Sequence, residues 1–253
     1  MRASLSPELS ILFGKLRPAA PIAFGDLTLV PLLLDRAFDA SADADLLEEG
    51  VLHGRTTVRE AVDGTVRVTH IGARALLVVD GEQLLGANRD RIFNASFLVP
   101  PGSSVDLPVS FRDCDRADSS RDDRDDRVPV KPSAIQLRVE KLAPLPQQVG
   151  LATVRGDELV SMDVFGSPSL FARGWRKIVR GALSEVYERS VPSRDAVSVV
   201  IRALTTLSRL PVVRKSAPGL GEMLHGSHAG YVAGAVVHRR RLYHAVVAGQ
   251  VQA

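Results

Sequence analysis

Short apolar or alternating segments, each closed by a turn signal, recur through the first half of the chain and commit it to a β-rich design. Leu27 to Leu34 reads as a first strand. Ala44 to Glu49, closed by Gly50, reads as a short helix with a glycine stop. Thr65–His70 alternates at period two, as a half-exposed strand does. Strands follow at Arg74–Val79, Ile92–Val99 and Val105–Phe111, separated by Gly/Asp and Pro-Pro-Gly turns. This spacing predicts an antiparallel sheet or a sandwich-like half over residues 20–145.

The pattern lapses between Arg112 and Lys131, where arginine and aspartate alternate with almost no apolar residue; the composition predicts a mobile charged loop over 112–131. Beyond it, Gly150–Val154 and Leu159–Phe165 flank Arg155-Gly156-Asp157-Glu158, a hairpin signal. Helical stretches run from Ser169 to about Arg189 and from Ser193 to about Leu207. In the first, Phe171, Trp175, Ile178, Val179, Ala182, Leu183 and Val186 make one apolar stripe. A second hairpin pairs Tyr231–Val237 with Leu242–Val247 across His238-Arg239-Arg240-Arg241. The order ββααββ over 146–250 implies a sheet with both helices packed on one face, and an α+β fold for a single domain over 20–250.

Composition bounds the function classes. The 253 residues are 45% apolar, enough for a core. No apolar run approaches the length of a membrane span, Met1-Arg2 leads into polar residues rather than a signal core, and a cytoplasmic location with no membrane partner is expected. Cys114 is the sole cysteine, which excludes an internal disulfide and any Cys-rich metal site. A phosphate loop, a paired-glycine dinucleotide fingerprint and a Gly-x-Ser-x-Gly elbow are all missing; Ser227, in His225-Gly226-Ser227-His228-Ala229-Gly230, comes nearest to the last.

Three groups of residues could carry chemistry. Gly81 to Arg91 joins two apolar strands and holds Glu82, Asn88, Asp90 and Arg91; its glycines let backbone amides approach a ligand, and an acid beside an arginine offers proton transfer or an ion pair. Glu82 and Arg91 are expected to lie together. Glu222, His225 and His228, at intervals of three, have the spacing of a zinc site on one helical turn, with His238 or His244 to complete it. The glycines around them argue instead for a flexible loop, so no cofactor is predicted and zinc is the alternative. Arg173, Arg176, Lys177 and Arg180 form a basic stripe that could meet nucleic-acid phosphates, although no aromatic platform accompanies it.

Gly81-Glu82-Gln83-Leu84-Leu85-Gly86, Arg91, Leu98-Val99-Pro100-Pro101-Gly102-Ser103, Leu107-Pro108-Val109-Ser110, Met162-Asp163-Val164-Phe165-Gly166, Trp175 and the Ala233–Val237 and His244 segment together carry a resemblance. From about Leu27 to about Val247 the chain resembles the ARG and rhodanese-phosphatase-superfamily-associated protein domain. The resemblance implies a bacterial or archaeal cytoplasmic setting and no particular reaction. Polar positions differ from the family pattern at Asn88-Arg89-Asp90, at Phe111-Arg112-Asp113 and at Arg116-Ala117. The leading expectation is therefore an accessory module that binds a small molecule or a protein partner through the Gly81–Arg91 loop. The alternative is a hydrolase with Glu82 or Asp113 as base and Arg91 as anion clamp, with or without a metal at Glu222, His225 and His228. Asp163 and His244 complete the candidate residues, the test being whether they converge with Glu82, Arg91 and Asp113.

Overall fold

The computed structural model describes residues 3–34, 42–62, 64–84, 90–111, 142–183 and 193–249. In chain order these form β1 (Ser4–Leu5), α1 (Pro7–Lys15), β2 (Leu16–Pro18), β3 (Ile22–Phe24), β4 (Leu27–Leu34), β5 (Asp45–Leu46), α2 (Leu47–Leu52), β6 (Thr56–Glu60) and β7 (Thr65–His70). Next come β8 (Leu76–Val78), β9 (Gln83–Leu84), β10 (Arg91–Ile92), β11 (Phe97–Val99), β12 (Ser103–Pro108) and β13 (Ser110–Phe111). The remainder is β14 (Gln148–Arg155), β15 (Glu158–Phe165), α3 (Pro168–Leu183), α4 (Ala196–Leu207), β16 (Pro211–Ser216), β17 (Glu222–His228), β18 (Tyr231–His238) and β19 (Arg241–Gly249). The expected charged loop at 112–131 lies outside the described residues.

One large sheet organises the molecule, in the order β1-β16-β17-β18-β19-β15-β14-β4-β2, with β3 also paired to β4. All its pairings are antiparallel, and the fold is α+β. Alternation along the strands sorts its side chains into two cores. Val30, Leu32, Met162, Val164, Ala245 and Val247 face α1 and α4, meeting Leu12, Phe13, Val200 and Leu204. Leu27, Leu29, Leu151 and Phe165 face the other way, toward Leu170, Phe171, Trp175 and Val179 of α3. The two C-terminal helices therefore cover opposite faces, not one face as their order suggested. Each carries its own apolar stripe, and a sheet buried on both sides needs a cover for each.

The first half adds small sheets beyond α3's face: β11-β8-β5, β12-β7-β6 and β13-β10-β9. Val66, Val68 and Leu107 pack with Leu76, Val78, Phe93, Phe97 and Val99 in a third core, which is the sandwich-like part of the fold. Several expected boundaries move, and Val105–Phe111 is split between β12 and β13. Asp45–Leu46 is extended and the helix is Leu47–Leu52; it stops at Gly54, whose φ is 66°, while Gly50 sits inside it against Thr56 and Leu76. Ile92–Val99 is not one strand: it breaks at 93–96 between β10 and β11. The glycine-rich stretch after Pro218 is not a loop but holds β17, framed by Gly219, Gly221 and Gly230, all at positive φ.

Candidate functional site

The site begins with strand parity. In the β15–β19 pairing Phe165 lies opposite His244 and Asp163 opposite Val246, so Asp163 and His244 are diagonal neighbours on the face turned toward the first half. His244 is 0% exposed. Its ring meets that of Phe165 edge-on, centroids 4.6 Å apart. Ser96, from the polar break between β10 and β11, places Oγ 2.8 Å from His244 Nδ1. The same Oγ accepts the backbone N–H of Asp80 at 3.0 Å. On the far side of the ring, Nε2 lies 3.4 Å from Asp163 Oδ1, in electrostatic contact but without a hydrogen bond.

A serine hydroxyl has two acceptor lone pairs and one donor hydrogen, so Ser96 Oγ can accept the Asp80 N–H and still donate to His244 Nδ1. In the tautomer where it does, the ring proton is on Nε2, facing Asp163. Ser96, His244 and Asp163 thus stand in the order of a proton relay. Burial pushes the Asp80 carboxyl up from its ordinary value; His244 draws it back, and the Asp163 charge pushes it further up.

Ser96 and Asp80 also line a cavity of about 300 Å³ between the first half and the large sheet. Asn94 and His225 are its other polar walls, and Met223, Val232, Gly234 and Val246 contribute to its apolar surface. Burial, with Lys215 adding to it, lowers His225 and favours its neutral form. Asp80 should act on stability in a definite direction. The folded chain holds its proton more tightly than the unfolded chain, so Asp80 favours the native state at acid pH, and that contribution is lost as pH rises through the elevated value. Asp80→Asn is expected to raise the thermal midpoint at neutral pH, by the equivalent of about 1 kcal/mol, and to change little in acid. Equal shifts at both pH values would show that the carboxyl's ionisation is not involved.

The residues singled out in the sequence are distributed more widely. Asp163 and His244 are brought together; Asn88 and Asp113 lie outside the described residues. Glu82 is buried, at 5% exposure, accepting the Val79 N–H at 3.1 Å and pairing with Lys177 of α3. Arg91 bonds Glu60 at 2.8 Å. The expected Glu82–Arg91 pair is thus replaced by two others, because Glu82 turns inward to α3 while Arg91 reaches across to β6. Neither these two nor Asp90, which precedes β10, is among the described residues lining the cavity.

Glu222, His225 and His228 do not converge. Their interval of three suits a helix, but on β17 it sends His225 to the cavity face and the other two away from it. Glu222 pairs with Arg214 and His228 is exposed. Among the described residues no group of three or more His, Cys, Asp or Glu is placed to hold a metal ion. The basic stripe is divided too: Arg173 bonds Asp43, Glu49 and the Ala44 carbonyl, and Lys177 holds Glu82, which leaves Arg176 and Arg180 exposed. No described helix is long and apolar enough to cross a membrane.

Two members of the relay region were not foreseen. Asn94-Ala95-Ser96 puts polar residues inside the apolar run from Ile92 to Val99, and that interruption was the available signal for Ser96. Asp80 precedes a glycine at a strand end and looks like an ordinary turn residue.

The model of the ARG and Rhodanese-Phosphatase-superfamily-associated Protein domain matches residues 15–111 and 117–248. The chain belongs to this family. Asp80, Ser96, Asp163 and His244 of this ARG and Rhodanese-Phosphatase-superfamily-associated Protein domain all fall within the matched segments. No curated protein and no solved structure matches the chain.

Proposed function

We propose that the chain is a hydrolase in which Ser96 attacks a carbonyl carbon held in the cavity. The observation that supports this most is the Ser96 hydroxyl at 2.8 Å from a nitrogen of a fully buried imidazole, with Ser96 among the residues lining the cavity. A nucleophilic hydroxyl needs a base within hydrogen-bond reach and a third group to orient that base. His244 and Asp163 fill those places, with Nδ1 facing the serine and Nε2 facing the carboxylate. This hydrolase differs from the one the sequence suggested, since Glu82 is engaged with Lys177 and Arg91 with Glu60.

As Ser96 Oγ bonds to the carbonyl carbon, its proton passes to His244 Nδ1, and the imidazolium is stabilised by Asp163. The carbonyl electron pair moves onto oxygen. Collapse of the tetrahedral species expels the leaving group, which takes the proton from Nδ1. Water then repeats the sequence on the acyl-serine and releases the acid.

The test is covalent. Incubation with p-nitrophenyl acetate should give a burst of nitrophenolate matching the enzyme concentration and an acetyl adduct on the peptide holding Ser96. Ser96→Ala should show neither. Stoichiometric burst and turnover in Ser96→Ala would overturn the assignment of the nucleophile. Specific ligand binding without any adduct or turnover would return the chain to the accessory-module reading.

A further inference from the structure

Most strand glycines in this fold answer a steric demand. A β-carbon on Gly150 would strike the Asp163 carbonyl, one on Gly226 the Pro211 carbonyl and one on Gly249 the Leu159 carbonyl. Gly234, inside β18, is different. Its φ is not in the left-handed region, and a β-carbon there would meet Val246 Cγ1 at 3.7 Å and His225 Nδ1 at 3.8 Å, ordinary contact distances. Glycine inside a strand weakens it, and neither backbone geometry nor packing calls for one here. What Gly234 does is leave a gap in the cavity lining.

Register shows the shape of that gap. His225 pairs with Gly234, Gly234 with Val246, and Val246 with Asp163, so the four lie in one row across β17, β18, β19 and β15. Neighbouring strands are about 4.8 Å apart, which makes the trough between His225 and Val246 roughly two strand spacings wide, with Gly234 at its centre. Ser96 and Asp80 line the same cavity, as does Met223 beside Val246 in the apolar part of its lining.

Resting on the hydrolase reading, we infer that the site takes short, uncharged acyl groups and that Gly234 sets their length. Met223, Val232 and Val246 offer an acyl chain apolar contact, and among the described residues no Lys or Arg lines the cavity to pair with a carboxylate. At about 300 Å³ the cavity stands at the small end of ligand sites, so a side chain grown at Gly234 takes its room from a bound acyl group. Burial, with Lys215 adding to it, favours the neutral form of His225, which an uncharged chain end can lie against.

The experiment compares wild type, Gly234→Ala and Gly234→Val on p-nitrophenyl acetate, butyrate, hexanoate and octanoate. Circular dichroism and thermal melts establish that the variants fold. Wild type should favour butyrate or hexanoate over octanoate. Each step in side-chain size should raise the acetate-to-hexanoate ratio of kcat/KM by about tenfold or more, the usual worth of a methyl-sized change in an apolar pocket. A second arm measures thermal stabilisation by acetamide, butyramide, hexanamide and octanamide. Turnover with a chain-length profile that Gly234→Val leaves unmoved overturns the size limit and leaves the hydrolase reading standing. Butyramide stabilisation lost in Gly234→Val, without ester turnover in wild type, upholds the size limit and removes the hydrolase reading. Neither turnover nor amide binding in wild type overturns both.

Discussion

Replacing Gly166 by alanine is expected to destabilise the chain by about 3 kcal/mol or more, the range of substitutions that force backbone apart in a core. Gly166 directly follows β15, its N–H donating to the Tyr243 carbonyl at 3.0 Å. An added β-carbon would strike the Leu242 carbonyl and lie 2.7 Å from Ala42 Cβ. The first of these is backbone on the neighbouring strand, so no rotamer change relieves it; β15 and β19 must part. Those two strands carry Asp163 and His244, and Leu242 is only two residues from the imidazole. The same substitution should therefore disturb the relay. Gly14→Ala is the control: it lies in α1 with nothing within 4 Å of an added carbon, and alanine there should be neutral or stabilising by up to about 1 kcal/mol. Urea titrations of both variants decide the matter. A Gly166→Ala midpoint close to wild type would mean the strands can yield at this point.

Local pattern carried much of the fold. Leu27–Leu34 and Thr65–His70 are strands with the bounds their apolar runs and alternation imply, and both C-terminal hairpins form where turn residues marked them. Arg239 and Arg240, at φ 49° and 62°, make the tight left-handed turn of the second hairpin without any glycine. What depends on distant parts of the chain was less legible. Nothing local says that α3 and α4 take opposite faces, because each stripe is satisfied by any apolar sheet face. The β17 strand was hidden by glycines whose role is to bound it or to let Pro211 approach.

The site divides in the same way. Asp163 and His244 could be selected as polar residues within apolar strands, but their meeting is a matter of register between strands far apart in the chain. Ser96 joins them across a sequence separation of 148 residues. Glu82 was the most conspicuous acid of its loop and proves to be a brace, tying the turn after β8 to α3 through Lys177. Charge adjacency in sequence, the basis for pairing Glu82 with Arg91, does not survive when each finds a better-placed partner in three dimensions.

Asp163→Asn is expected to lower kcat by about a thousandfold to ten-thousandfold while changing stability by no more than about 1 kcal/mol. The two effects separate because the carboxylate's service is needed mainly when the imidazole is charged. Asp163, with 21% of its side chain exposed, retains contact with solvent that an amide can also use. In the transition state the serine proton sits on Nδ1 and a full positive charge lies in a side chain with 0% exposure. Removing the facing negative charge then leaves a buried cation unpaired, the costly half of breaking a buried ion pair. If the amide turns its N–H₂ toward Nε2, the loss is compounded: the ring proton moves to Nδ1, and Ser96 no longer has an acceptor. The reading requires a fall in kcat with KM little changed and a urea midpoint close to wild type. Turnover within threefold of wild type, roughly 0.7 kcal/mol in barrier, would remove Asp163 from the relay.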